Sequence, residues 1–389
     1  MAFPDQPESP ENEQPDDSEG VDGEANSGSG GIVNGRLGDK VWNAGFQGLE
    51  FDFDSIETEV TEEELQELKR FYQLARLSVP GSGENAHSTE ATFTGLKFHA
   101  KGGLGKVFRA RDERLKRDVV LKFIQKPHDK SPEMQKRFLR EAEVTGQLDH
   151  PGIVPVYGMG QDEDGNPFYV MRYIEGQTLE EAIDEYHSDY SFSRPAAGQR
   201  LAFQGLLNSF ISFCNTIAYA HSKGYMHRDI KPANLMLGTY GETLVLDWGL
   251  AKKISELDFN AGGSPAGSES ASDDETHATS EGAVMGTPAY MSPEQASGEI
   301  AKLDQRSDVY SLGATLFTLL AGRAPFKGDR SEVLENVIQG NFQKPLEVNR
   351  RIPAPLGAIC RRSMSLGPEA RYQTAREMAD EIERWLAAE

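Results

Sequence analysis

The chain of 389 residues carries a formal charge of −22, with 38% apolar and 9% aromatic residues, enough to bury one large core or two smaller ones. The acid is concentrated: residues 1 to 64 hold 18 acids against Arg36 and Lys40, and residues 254 to 284 hold seven acids and no base, which leaves the remainder near +1. A near-neutral body with acidic stretches argues against a nucleic-acid partner, because phosphate neutralisation needs concentrated Lys and Arg.

The two cysteines, Cys214 and Cys360, lie in apolar surroundings without metal-ligand spacing and are expected as buried, unpaired thiols in a reducing compartment. No stretch approaches the roughly 18 consecutive apolar residues of a membrane span. The start "MAFPDQPESPENEQPDDSEG" lacks the basic beginning and apolar centre of a signal peptide. A soluble, cytoplasmic chain is the expectation, and the helix-like ending "EIERWLAAE" leaves open a longer natural product.

Residues 1–55, rich in Pro, Glu, Asp, Ser and Gly, cannot bury enough apolar surface to offset their ordering entropy and are expected to be disordered. Residues 56–90 are expected as a helical extension. In "TEEELQELKRFYQLARL", Thr61 and Glu64 stand at capping-box spacing, and Leu65, Leu68, Tyr72 and Ala75 form one stripe suited to packing on the neighbouring domain. From about residue 91 the pattern turns to short β-like runs, "KVFRAR" and "DVVLKFI", then a helix "PEMQKRFLREAEVTGQL", then strands "IVPVYGMG" and "PFYVMRYI". After Gly176 the chain reads as mostly helical, with long apolar segments at "LLNSFISFCNTIAYAHSKG" and "SDVYSLGATLFTLLAG". Residues 254–284, rich in Gly, Ser and acid, interrupt it as a loop.

The stretch "HAKGGLGKVFRARD" raises the question of phosphate binding. A dinucleotide fold needs its glycines at the opening of a helix, and a P-loop needs Gly-Lys followed by Ser or Thr. Here Gly105-Lys106 precedes Val107 and a strand, so the glycines occupy a hairpin turn, where backbone amides can approach a triphosphate; an ordinary glycine turn is an equal reading of the loop alone. Lys122 stands seventeen positions beyond Gly105 at the end of the next strand, within reach of α and β phosphates. Glu141 on the following helix is placed to pair with it, and Glu143 is a rival. In "MHRDIKPANLM", His227, Arg228, Asp229, Lys231 and Asn234 share a tight loop, and Asp247 of "VLDWG" follows that asparagine by thirteen residues. An acid, a lysine and an amide, with a second acid at a strand end, supply a base, a charge stabiliser and two metal ligands.

Together these segments resemble the protein kinase family, and more closely its eukaryotic-like bacterial serine/threonine members. The resemblance runs from about residue 93 to 388 and takes in "GTPAYMSPEQA", "SDVYSLG" and "PEARYQTA". It implies an α+β, bilobal protein kinase fold over residues 91–388, with a small β-rich N-lobe of about 91–172 holding one main helix and a larger helical C-lobe of about 176–388. It also implies ATP and Mg²⁺ as cofactors and a serine or threonine hydroxyl on a protein as acceptor.

Roles follow from the resemblance residue by residue. Ala100, Gly102, Gly103, Gly105 and Val107 would form the lid over ATP. Val120 would narrow the adenine slot, Met171 would be the gatekeeper, backbone groups near Tyr173 and Ile174 would meet adenine, and Met236 would lie below it. Lys122, oriented by Glu141, would hold the α and β phosphates. Asp229 would take the acceptor's proton, Lys231 would offset charge on the γ-phosphoryl, and Asn234 and Asp247 would bind Mg²⁺. Glu294 and Arg371 match a buried structural ion pair, and Asp308 a cap on the catalytic-loop backbone. The chain departs from the family pattern at Ala100 (usually glycine), Val120 (usually alanine), Trp248 (usually phenylalanine) and Ser292 (usually alanine), none of them a charged catalytic position.

Arg228 before the catalytic acid implies a basic pocket for a phosphorylated activation loop, with Thr276, Thr279 and Ser280 as candidate sites and Thr287 reserved for the neighbourhood of Asp229 and Lys231. The alternative to an active kinase is a nucleotide-binding pseudokinase or a scaffold with an acidic interaction tail. The usual mark of a pseudokinase is a missing lysine, base or metal ligand, and all three are present here.

Overall fold

A computed structural model of the chain describes residues 76–77, 91–125, 128, 131–162, 166–189, 196–254 and 286–388. The disordered segment expected over 1–55, the helical extension expected over 56–90 apart from two strand residues, and the 254–284 insertion beyond Ile254 lie outside the described residues.

Residues up to Arg172 build an antiparallel sheet from β1 (Arg76–Leu77), β2 (Ala91–Lys101), β3 (Gly105–Asp112), β4 (Arg117–Ile124), β5 (Val156–Gln161) and β6 (Pro167–Arg172), in the order β1-β2-β3-β4-β6-β5. Alternate residues of a strand face opposite sides, and β4 is central, so both of its faces are covered. Val119, Leu121 and Phe123 join Phe93, Phe108 and Phe168 in one cluster, while Ile124 turns to the other face to meet Phe138 and Tyr169. That second face receives α1 (Pro132–Gln147), which starts where Ser131 accepts from the Met134 N–H and Pro132 occupies the first turn.

Beyond the sheet, β7 (Gly176–Thr178) leads into α2 (Leu179–Asp189) and α3 (Ala196–Ser222). By length and composition α3 is apolar enough to cross a membrane, and 44% of its apolar window is buried inside the protein. Leu207, Phe210, Phe213, Cys214 and Ile217 lose all or nearly all exposure there, which accounts for the apolar run as a core helix. The strands β8 (Tyr225–Met226), β9 (Leu235–Gly238), β10 (Thr243–Val245) and β11 (Lys252–Lys253) form two small sheets, β10-β9-β7 and β11-β8. They carry the loops on which the chemistry expected from the sequence is clustered.

The centre of the helical part is α4 (Gln305–Ala321), buried all round from Ser307 to Leu320. Asp304 caps its start and Gly322, at φ 69°, ends it in the left-handed conformation that glycine adopts without steric cost. Around it pack α5 (Arg330–Gln339), α6 (Ala354–Ser363) and α7 (Ala375–Ala388) in one continuous core. Cys214 and Cys360 are both buried and unpaired, and burial pushes both thiols well above the usual cysteine range.

Candidate functional site

The glycine turn between β2 and β3 is closed by the Gly102 N–H donating to Gly105 O at 2.8 Å. Gly105 has no room for a side chain, since a Cβ would stand 2.8 Å from Phe123 O and 3.0 Å from Lys122 Cγ. Strand register then sets Ala100, Val107, Lys122 and Tyr169 in one row across four strands. Directly paired residues share a face, and on that face Val120, two positions before Lys122, stands opposite Met171.

Lys122 Nζ donates to Glu141 Oε1 at 2.6 Å, with both side chains nearly sealed from water. Glu143 is exposed and makes no such pair. The Tyr169 hydroxyl also donates to Glu141 Oε1, at 2.8 Å, a contact no sequence signal announced because it depends on strand register. Burial penalises the Lys122 ammonium, but the negative field of Glu141, then Tyr169 and Asp247, outweighs it and holds the group above the usual lysine range. Lys122 is therefore a fixed positive charge at neutral pH.

The second cluster hangs on Asp308, near the start of α4. Its Oδ2 accepts the His227 N–H and its Oδ1 the Arg228 N–H, each at 2.9 Å, and His221 Nε2 lies 2.8 Å from Oδ2. Burial works against the Asp308 charge, yet the His221 hydrogen bond and the fields of His221 and His227 keep its pKa below the usual range. These anchors hold a strained stretch. Arg228 has φ 68° and Asp247 φ 60°, two of the three non-glycine residues at positive φ among the described residues, a conformation that costs about 1–3 kcal/mol per residue. The Gln295 side chain supports the same peptide by donating to Arg228 O at 3.0 Å, and the sequence alone did not indicate it.

Around Asp229, Lys231 Nζ reaches Oδ2 at 2.9 Å, Asn234 Nδ2 reaches the main-chain O at 2.8 Å and Oδ2 at 3.2 Å, and the Thr287 N–H reaches Oδ1 at 3.2 Å. The Asn234 amide nitrogen is thus turned toward Asp229, which directs its Oδ1 elsewhere. Asp247, just past β10, is exposed and accepts the Gly249 N–H at 3.3 Å. Next to it Trp248 is buried, its indole N–H donating to Val245 O at 3.4 Å. A Cβ at Gly249 would lie 3.1 Å from Asp247 Oδ1 and 3.3 Å from Glu141 Oε2, so glycine there lets the two carboxylate-bearing segments approach.

Met171, Ile174 and Met236 join Val154, Leu244 and Leu246 in one apolar cluster where the sheet meets the helical part. Tyr173 stands beside them at the edge, with the Arg109 guanidinium 4.2 Å from its ring centre and the His99 ring edge-on at 5.7 Å. Gly102, Gly103 and Ala100 are exposed at the loop. Of the residues given a functional role from the sequence, Thr276, Thr279 and Ser280 lie outside the described residues; Lys122, Glu141 and Asp247 share one electrostatic neighbourhood, Asp229, Lys231, Asn234 and Thr287 form a hydrogen-bonded cluster, and Glu294 and Arg371 meet as a buried ion pair in the helical part.

A sheet that carries a buried lysine–glutamate pair, joined to a helical body that carries an acid–lysine–amide cluster, defines the bilobal α+β class of domain. The chain belongs to the protein kinase family, with residues 100–382 matching the protein kinase domain. It is 38% identical over 304 residues to the serine/threonine-protein kinase PknD of Protochlamydia amoebophila, covering 75% of this chain and 29% of that protein. It is 36% identical over 290 residues to the probable serine/threonine-protein kinase SCO3848 of Streptomyces coelicolor, covering 74% of this chain and 38% of that one. The matched region is therefore less than two-fifths of those relatives' own length. In fold it is similar to the crystal structure of the Mycobacterium tuberculosis PknI kinase domain, with a TM-score of 0.51 and 22% identity, covering 77% of this chain and 99% of that domain. Protein kinase domains in general use ATP and a divalent metal.

Proposed function

We propose that this chain is an ATP- and Mg²⁺-dependent serine/threonine protein kinase that transfers the γ-phosphoryl of ATP to protein Ser or Thr hydroxyls and autophosphorylates in the cytoplasm. The observation that carries this reading is the coexistence of the buried Lys122–Glu141 pair with the Asp229–Lys231–Thr287–Asn234 cluster. Phosphoryl transfer asks the protein mainly to position reactants and neutralise charge. Lys122, locked by Glu141, supplies a positive charge to the α and β phosphates. Asp229, held from three sides, orients the acceptor hydroxyl and receives its proton, while Lys231 offsets the charge that builds on the γ-phosphoryl. Asn234 Oδ1 and the exposed Asp247 carboxylate are oxygen donors, the set that suits Mg²⁺. When bound, the metal adds charge neutralisation at the phosphates.

Regulation by phosphorylation of Thr276, Thr279 or Ser280 is part of the same proposal. Burial lowers the pKa of the Arg228 guanidinium, and Arg140 and Arg137 lower it further against the pull of Asp308. Its Nε is buried without a hydrogen-bond partner. Three guanidiniums in one region, one incompletely satisfied, favour a phosphate as counterion.

The test is incubation of the full chain with labelled ATP and Mg²⁺ beside an Asp229→Asn control. Label on the chain or on an added protein substrate, lost in the variant, supports the kinase. Nucleotide binding with equal, background labelling in both would establish the scaffold instead.

A further inference from the structure

We infer that Gln125 is a positioning residue that sets the peptide orientation at the tip of the glycine loop, and so the affinity of the cleft for the phosphates of a nucleotide. The inference rests on the nucleotide-binding reading above. Gln125 lies three residues beyond Lys122, at the end of β4. Its Nε2 donates to Gly103 O at 2.7 Å and to Gly102 O at 3.1 Å, and its main-chain N–H donates to Leu104 O at 3.0 Å. One residue therefore holds three successive carbonyls of the turn. A primary amide nitrogen has two hydrogens and can serve two acceptors at once, which no apolar side chain at this position can do.

The consequence is electrostatic. In a planar trans peptide the N–H points opposite to the C=O. With the carbonyls of Gly102 and Gly103 drawn to Gln125, the N–H groups of Gly103 and Leu104 are turned away from it. Successive N–H groups presented together form an anion-binding concavity. The space is open there, as a Cβ at Gly103 would meet nothing within 4 Å and one at Gly102 only Gly105 O at 3.7 Å. Glycine at these two positions otherwise leaves the turn free to rotate its peptides and present carbonyls, which repel phosphate. Leu104 anchors the turn on its other side by packing against the cluster of Ile124, Phe138 and Tyr169. The loop tip and the phosphate-facing lysine thus ride on one strand.

The test compares the unaltered full chain with Gln125→Ala and with Gln125→Met, which keeps the length of the side chain without its donor or any charge. Titration calorimetry with Mg·ATP and separately with adenosine gives the affinities, and steady-state assays give kcat and KM. Both variants should raise the Kd and KM for ATP roughly five- to tenfold, the scale of one or two lost hydrogen bonds. Adenosine affinity, kcat and the thermal midpoint should stay within about twofold or a degree or two, because none depends on amides aimed at phosphates. ATP affinity equal to that of the unaltered chain in both variants overturns the inference, as does a Met variant that binds normally while Ala does not, since bulk alone would then suffice. Equal loss of adenosine and ATP affinity overturns it too, by showing general damage to the cleft. If the unaltered chain binds no Mg·ATP, the kinase reading fails and takes this inference with it.

Discussion

Lys231 and Thr287, 56 residues apart in the chain, meet at 2.7 Å between Nζ and Oγ1, while Lys231 also holds Asp229 Oδ2 and the Thr287 N–H holds Asp229 Oδ1. The segment after the insertion is thereby tied to both ends of the acid–lysine pair. Thr287→Val keeps the branched shape and the N–H but removes the hydroxyl. Turnover should fall ~10- to 100-fold, the cost of a small misplacement of reacting groups, with ATP affinity unchanged. Thr287→Ser should recover most of the rate in the same steady-state assay, and a Val variant as fast as the original would show that the contact plays no part.

The Lys122–Glu141 pair predicts a separation of stability from activity. Glu141→Ala strands a buried ammonium and should cost about 3–5 kcal/mol in urea unfolding, with turnover near background. Lys122→Met combined with Glu141→Leu replaces both charges by apolar groups, so stability should return while activity does not. Since the folded pKa of Lys122 is raised above its unfolded value, the pair's contribution is fully present below the ordinary lysine value, roughly 10.4, and is lost only as pH rises through the higher folded value. No loss of rate between pH 7 and about 9.5 should trace to this lysine.

Acid sensitivity should come from Glu294. Arg371 grips it in two parallel bonds of 2.7 and 2.9 Å, Ser307 adds a third at 2.6 Å, and Arg371 spends its remaining donors on the carbonyls of Arg306, Ser365 and Leu366. Burial opposes the Glu294 charge, but Arg371 and Ser307 more than offset it and depress its pKa. A depressed carboxylate contributes stability above its unfolded value, roughly 4.3, and loses it as pH falls through the folded value. The thermal midpoint should drop more steeply below pH ~4 in the original chain than in Glu294→Gln, and parallel curves would remove Glu294 as the cause. Arg371→Ala should cost about 3–5 kcal/mol at pH 7 by leaving the carboxylate buried alone.

Replacing Thr276, Thr279 and Ser280 together by Ala should lower the rate on an external peptide at least several-fold, because no phosphate would then reach Arg228 and its neighbours. Mass spectrometry of the original chain should find phosphate at one or more of these residues, absent from the Asp229→Asn variant. An unaltered peptide rate in the triple variant would show that no such switch exists.

Local structure and the inventory of chemical groups were legible in the sequence. The segments "DVVLKFI" and "PEMQKRFLREAEVTGQL" read as a strand and a helix and are found as β4 and α1, and the apolar segment "SDVYSLGATLFTLLAG" reads as the helix that is α4. Such signals act over about one turn of helix or one strand. The charged groups Lys122, Asp229, Lys231 and Asp247 and the amide of Asn234 could be singled out because their residue types are intrinsically suited to phosphate, proton and metal chemistry. The tertiary structure decided which of them meet and at what distance. Glu141 and Glu143 sit about 200° apart around their helix, so only the packing of α1 on the sheet could choose between them. Tyr169 meets Glu141 through strand register, Asp308 reaches the His227 and Arg228 amides some 80 residues away in the chain, and Gln125 holds the glycine turn through a hairpin closure. These contacts join segments whose separation in the sequence carries no periodicity, and their geometry is set only when the core is packed. The left-handed backbone at Arg228 has the same origin, because arginine has no local preference for it and the long-range bonds from Asp308 and Gln295 to that residue offset its strain.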